Sequence, residues 1–590
     1  MQKVEFPPEA AARATVLGRN GDFGLTGLRA RLQFRAPRAI AKADEAYWQI
    51  GAAHLGPVFG AFARWVVGMC AARGTPKVFG IMREGRFLGQ LVNATAGDLG
   101  VRLQSEEIWL SRRAVIGASL YADDLSRLSD AIAVAPGEND GEVLASLGLT
   151  LADVAAVLPR FNMRANGALA ALTAAIASAT VLQTKVLARA EELRRSLLKG
   201  IGKHFDLGKA QRVVLMDLGY AATTQSVLAG ILAREGAKVQ LDGLYLALNE
   251  RASLHRQAGS EIHAFIGNDG YSALTARLLT RTPDVLEHAC MCRDGSLARY
   301  DGAGAPVLLP NQRGEAQLAQ MEVLQAGILA GAAAVNRLLG DFTSTPHDTP
   351  ALAAQVGRMI DGLLLHPSRK EAETVGAWQN EANFDLRDRR ALNDLAFDPT
   401  TLEYQGYPAL RDAGRHQVYW PAAALAKVNP FLAEAFAAGA AGEYGPAFPS
   451  SGPLLGGLVI APDLGADFDT KRAGAVPLAV NSFGRGEIKV MIKGFGPEAF
   501  TRVRLTWPSA QAVIAISPPQ FMCHGEQEVR ALAVGEITWA GVREAEPSVH
   551  IGGHATETII TLGSPPPFAH ALEMTLRFKY LRLTPLFGMQ

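Results

Sequence analysis

Four cysteines in 590 residues cannot build a disulfide framework, which predicts a reducing compartment. A surplus of either charge is also missing. The 58 Lys and Arg nearly match the 57 Asp and Glu, and the formal net charge is +1. Nothing therefore draws the whole chain to nucleic acid or to a membrane surface, and any anion site must be local. The opening residues, MQKVEFPPEAAARA, lack the apolar core of a secretory signal. The most apolar long run, Gly167–Leu182, is mostly alanine with Thr and Ser, too weakly hydrophobic to predict a spanning helix. It predicts a buried or inter-subunit helix. The expectation is a cytoplasmic chain without a transmembrane segment. GxxxxGK[ST] and GxSxG are both missing. Asp467-Phe468-Asp469-Thr470 has the spacing of a haloacid-dehalogenase aspartate pair, but no apolar strand precedes it and it is set aside.

What is there is a globular composition, 48% hydrophobic and 19% charged, over a length that suits two to four domains at about 150 residues each. Residues 1–45 read as an irregular lead-in. Gly18, Gly21, Gly24 and Gly27 recur there without a preceding strand, which predicts a loop rather than a nucleotide fingerprint. From Tyr47, Phe59, Phe62, Val66 and Met69 fall on one helical face, and Arg73-Gly74 supplies the stop. Strands are predicted over Lys77–Met82, Glu107–Leu110, 213–217 and Val239–Leu248, with helices between them. This alternation predicts an α/β domain over 46–345 with a mostly parallel, Rossmann-like sheet covered by helices. Residues 346–451 read as a helical and irregular connector. From 452 to 590 the period becomes two. Ile488, Val490 and Ile492 alternate with Lys489, Met491 and Lys493, and Leu572, Met574, Leu576 and Phe578 with polar residues. That pattern predicts a C-terminal antiparallel β-sandwich.

The chemistry concentrates at strand ends. VVLMDLGYAATTQ, Val213–Gln225, ends a buried strand in Asp217, turns at Gly219 and Tyr220, and opens a helix with Thr223 and Thr224. A helix N-terminus suits phosphate, and a carboxylate beside it suits a divalent metal or a sugar hydroxyl. The plainer alternative is an ordinary strand–turn–helix with Thr223 or Thr224 as N-cap. Two other strands end in Arg83, Glu84 and Arg86, and in Ser111, Arg112 and Arg113. In open α/β sheets ligands sit beyond the carboxyl ends of the strands, so the three clusters can converge on one crevice fit for a diphosphate. Taken singly, each arginine is as readily explained by an ion pair or by solvent. His288, Cys290 and Cys292 at i, i+2, i+4 would share one face of a strand, but no fourth ligand lies nearby and a zinc site is not expected.

With these residues in hand, segment 46–345 resembles the glycan phosphoribosyltransferase half of bacterial dual-domain ribofuranosyltransferases, often labelled haloacid-dehalogenase-like. That half has a strand ending in A-R-[DE]-G, a later S-R, and a strand ending in D-x-G-[WY]-x-[GA]-[ST]-x-Q. The corresponding residues are Met82–Gly85, Ser111–Arg113 and Asp217–Gln225, and VLEHACMCRDGSLARY followed by PVLLPNQ is similar to the family's closing section. Met82 replaces the usual Ala, and Ala222 stands where Gly is common. The family's attached phosphatase domain has no counterpart.

The resemblance implies transfer of 5-phosphoribose from phosphoribosyl diphosphate to a glycan hydroxyl in surface-polysaccharide synthesis. Gly219, Tyr220, Thr223, Thr224 and Gln225 would hold phosphate, with Arg83, Arg86, Ser111, Arg112 and Arg113 around the departing diphosphate. Asp217 would bind ribose hydroxyls or Mg²⁺, and Glu84 would be the base for the acceptor. Implied partners are a glycan acceptor, free or lipid-linked, and a separate phosphatase if the product keeps its phosphate. The resemblance implies no nucleic-acid partner, leaves a homo-oligomer open, and implies a cytoplasmic location, at most peripheral to the inner membrane. The competing readings are a haloacid-dehalogenase-like phosphatase or hydrolase, and a non-catalytic glycan-binding protein.

Overall fold

The computed structural model describes residues 36–135, 139–159, 161–162, 167–266, 273–340, 349–380, 390–396 and 417–428. It also describes Leu28, Arg29, Leu32, short pieces between 433 and 440, and the strands with their short connectors between 454 and 583. The glycines of the lead-in, and Asp467, Asp469 and Thr470, lie outside the described residues.

The chain forms two compact units. The first takes in residues 1–218, 222–246 and 281–436, and the second 219–221, 247–280 and 437–590. Early in the first unit, Glu45–Ile50 continues through a π turn, Gly51–Leu55, into α1 (Gly56–Ala72). Phe59, Phe62 and Val66 are buried on it as their spacing predicts. Gly74, at φ 61°, lies just past its end. There follow β1 (Lys77–Ile81), α2 (Gly85–Asp98), β2 (Gln104–Ile108) and α3 (Arg112–Ala118). A run of helices leads to β3 (Gln211–Asp217), α4 (Thr223–Arg234) and β4 (Val239–Ala247), and β5 (Glu261–Ile266) follows in residues that group with the second unit. Next come α5 (Asp284–Cys290) and α6 (Glu315–Leu339).

The strands form one five-stranded sheet in the order β2-β1-β3-β4-β5, with β1 parallel to β2 and to β3, and β3 parallel to β4. Both faces are apolar, as a helix-covered parallel sheet requires. Phe79, Ile81, Val213, Leu215 and Leu241 join the core built with α3, α4 and the helix Thr180–Ile201. The alternate residues Val78, Val214, Met216 and Leu244 are buried as well. Away from the sheet, α1 packs on α2 and on α6. Here backbones meet: a Cβ on Gly56 would lie 2.7 Å from the Cα of Gly331.

One expectation changes. The run Gly167–Leu182 is no single helix. It breaks at Ala179 into Ala168–Ser178 and Thr180–Ile201, bent by 97°. Among the described residues, Glu45–Ala72 and Glu315–Leu339 are long and apolar enough to cross a membrane, with their most apolar windows 72% and 50% buried inside the protein, and the bent pair passes the same test when taken together. Of residues 346–451, those up to Phe436 group with the first unit and those from Ala437 with the second. Helices Thr349–Leu365, Arg369–Thr374 and Pro421–Val428 lie in this stretch, and Trp378 and Trp420 are among the most deeply buried side chains.

In the second unit two antiparallel sheets hold five strands each. One orders Arg485–Lys493, Ala571–Leu583, Gln520–His524 and Val529–Leu532, with Ala512–Ile516 also paired to Ala571–Leu583. The other orders Val534–Ala540, Glu557–Leu562, Arg502–Thr506, Leu454–Asp463 and Gly474–Ala479. Ile488, Val503, Leu505, Trp507, Leu572, Met574, Leu576 and Phe578 sit in one apolar cluster fed by both sheets, on the faces their alternation predicts.

Candidate functional site

Arg83, Glu84, Arg112 and Asp217 lie in the first unit, where β1 and β3 end side by side. After Ile81 the chain reaches Met82-Arg83 through a cis peptide bond, and after Leu218 a second cis bond joins Gly219 to Tyr220. Arg83 is buried, with Nη2 3.8 Å from Oε1 of Glu84. Asp217, the last residue of β3, accepts the Leu218 N–H on Oδ1 at 2.8 Å. Burial pushes its carboxyl well above the usual carboxylate range, and the negative charges of Glu84 and Glu287 push the same way. The Leu218 N–H and the Arg112 guanidinium pull the other way. The β1–β3 register sets Gly80 beside Met216 and the β1–β2 register sets Ile81 beside Ile108, so Glu84, Asp217 and Arg112 all follow the carboxyl ends of adjacent strands. Arg112 is exposed at the head of α3, next to Ser111, which caps that helix.

The turn after Asp217 is shaped by its backbone. Gly219 has φ 142°, and a Cβ there would lie 2.2 Å from the Ala247 carbonyl oxygen, so only glycine fits. Ala222 precedes α4 in the left-handed region at φ 58°, which explains why glycine suits that position. No side chain of the N-cap residue caps α4, and the residue there is Ala222 rather than Thr223 or Thr224, which are the first two helical residues and half-buried. A phosphate oxygen matches such a helix start.

The remaining predicted residues are held by contacts within the protein. Arg86 is held by Glu107, through Nε at 2.7 Å and Nη2 at 2.9 Å, and by Asp294 through Nη1 at 2.6 Å. Ser111 Oγ accepts the Ala114 N–H at 3.1 Å and donates to the Leu297 carbonyl at 2.9 Å. Arg113 turns inward, donates from Nε to the Val134 carbonyl at 2.8 Å, and is brought down to about 10 by burial. Gln225 is wholly buried against β4. The expected strand face of His288, Cys290 and Cys292 does not form, because residues 284–290 are helical and i, i+2 positions there point apart. His288 is buried with its ring nitrogens 2.9 and 3.2 Å from the Asp284 and Gln379 carbonyls, and burial lowers it to about 4. Burial raises the Cys290 and Cys292 thiols, so neither is poised as a thiolate ligand.

Sequence reasoning missed Glu287 and Tyr245. Tyr245 is the register partner of Asp217 on β4, and Asp217 adds to the effect of burial in raising its phenol. Glu287 carries no local signal beyond its place in the segment similar to the family's closing section. Among the described residues no group of three His, Cys, Asp or Glu side chains is arranged to hold a metal. Fold and site define a parallel α/β protein with an acid–guanidinium cluster at the carboxyl edge of its central strands. No protein-family model matches the chain, and no curated protein matches it.

Proposed function

We propose that this protein is a glycan phosphoribosyltransferase that moves 5-phosphoribose from phosphoribosyl diphosphate to a glycan hydroxyl. In this reading the parallel sheet is Rossmann-like, and the two antiparallel sheets form a β-sandwich that serves the acceptor. The observation that carries the reading is Asp217: a half-buried carboxyl, raised by desolvation and by the charge of Glu84, at the end of a central strand that leads to the α4 N-terminus.

The α4 N-terminus with Thr223 and Thr224 holds phosphate, and Arg112 supplies positive charge to the leaving diphosphate, as each charge-assisted hydrogen bond contributes about 1.5–3 kcal/mol. The bond from ribose C1 to the diphosphate oxygen breaks, the acceptor oxygen bonds to C1, and the acceptor proton passes to Glu84. Asp217 faces the ribose, where developing positive charge at C1 favours its ionised form. Asp217 would be the residue to hold Mg²⁺. Bound there, it would neutralise charge on the diphosphate. Arg86, Ser111, Arg113 and Gln225 support the scaffold and do not touch substrate.

The test incubates the purified protein with phosphoribosyl diphosphate, Mg²⁺ and a panel of bacterial glycans, and measures diphosphate release. Release that disappears in Asp217→Ala is the expected result. Hydrolysis of a generic phosphomonoester without glycan-dependent release would replace the reading with a phosphatase. Oligosaccharide binding with neither activity would replace it with a glycan-binding protein.

A further inference from the structure

Three residues beneath the site interlock. Gly243 on β4 has no side chain, and its Cβ position is filled by others: a Cβ there would lie 1.9 Å from Gln225 Oε1 and 2.4 Å from Tyr245 Cε2. Within that slot Tyr245 donates its hydroxyl proton to Gln225 Oε1 at 2.9 Å, and Gln225 Nε2 donates to the Leu241 carbonyl at 3.0 Å. All the polar partners are buried, where a hydrogen bond fixes geometry most firmly. Gln225 is the third residue of α4, two positions beyond Thr223. Tyr245 stands opposite Asp217 in the β3–β4 register.

We infer that Tyr245 and Gln225 are positioning residues, which bolt the first turn of α4 to β4 through the vacancy at Gly243 and so fix the phosphate-binding turn relative to Asp217. This rests on the reading of that turn as a diphosphate site. It also reassigns Gln225, which the sequence pattern groups with ligand-binding residues, to a role it performs without reaching the ligand. Two of its neighbours in sequence open the helix, while its own side chain points the other way, into the sheet. A helix start that is free to pivot holds an anion poorly, because the N–H groups no longer converge.

The test titrates inorganic diphosphate with Mg²⁺ into full-length wild type, Tyr245→Phe and Gly243→Ala by calorimetry, with thermal melting of each. Tyr245→Phe removes only the hydroxyl, and Gly243→Ala pushes Gln225 from its slot by a different route. The expected result is diphosphate binding at least about tenfold weaker in the folded variants. In turnover, KM for phosphoribosyl diphosphate rises while KM for the glycan stays fixed, a split that lost stability alone does not produce. Wild-type binding matched by a folded Tyr245→Phe would overturn the positioning role and leave the transferase reading intact. Failure of the wild type to bind diphosphate would remove both.

Discussion

Gly80 and Gly85 occupy each other's side-chain space: a Cβ on Gly80 would lie 2.4 Å from the Gly85 carbonyl oxygen, and one on Gly85 2.3 Å from the Gly80 carbonyl carbon. The start of α2 thus rests directly on β1, and Arg83 and Glu84 are carried on the short link between them. Gly85→Ala is expected to force helix and strand apart at a cost of about 1–3 kcal/mol. Chemical denaturation measures that cost, and a loss of transferase activity larger than the loss of folded protein would show that the link had moved.

The two adjacent arginines of α3 should separate cleanly. Arg112→Ala removes an exposed cation and should leave stability within about 0.5 kcal/mol while weakening diphosphate binding about tenfold. Arg113→Ala breaks the buried bond to the Val134 carbonyl and should cost about 1–3 kcal/mol of stability. Its diphosphate affinity, measured on the folded fraction, should be unchanged.

Asp217 gives a pH dependence of definite sign. Its folded carboxyl holds a proton well above the usual range, whereas the unfolded chain releases it near pH 4. Below about pH 4 both states are protonated and the residue is neutral in its effect. Above that the folded state bears a penalty that grows until the pH passes the folded value. Asp217→Asn should therefore match wild type in acid and exceed its stability at pH 7, while losing activity. Equilibrium unfolding across pH 3.5–8 would reveal a gain of the opposite trend if the assignment were wrong.

Ala222 sits in the left-handed region, where a Cβ costs about 1 kcal/mol. Ala222→Gly should raise the melting temperature modestly, because relief of that cost exceeds the added freedom of the unfolded chain. A lower melting temperature would mean that packing of the buried methyl dominates.

Much of this arrangement was legible from local pattern. β3 and its turn read from VVLMDLGYAATTQ because a buried strand, a glycine and a helix start leave strong local marks. The alternation at Ile488–Ile492 and Leu572–Phe578 placed the second unit's core. What escaped depends on direction rather than on presence. Ser111 starts a helix, so Arg112 and Arg113 diverge by about 100° and only one stays exposed. The seven residues from Asp284 are too short for period alone to decide. There, Pro283 at the N-cap, with Asp284 and Glu287 in the first turn, favours helix over strand. The role of Gln225 depends on Gly243, eighteen positions on, and no local window contains both. Residues 346–451 look like a linker by composition, yet Trp378 and Trp420 within them have large apolar surfaces to bury.

The route of the backbone limits how this protein can be taken apart. Because residues 247–280 group with the C-terminal sheets and 281–436 return to the first unit, the polypeptide shuttles between its halves more than once. No single scissile point yields two intact pieces. A recombinant fragment begun at residue 452 would lack part of its own unit, and gene fusions or splits that exchange one half must be designed as insertions rather than as cuts.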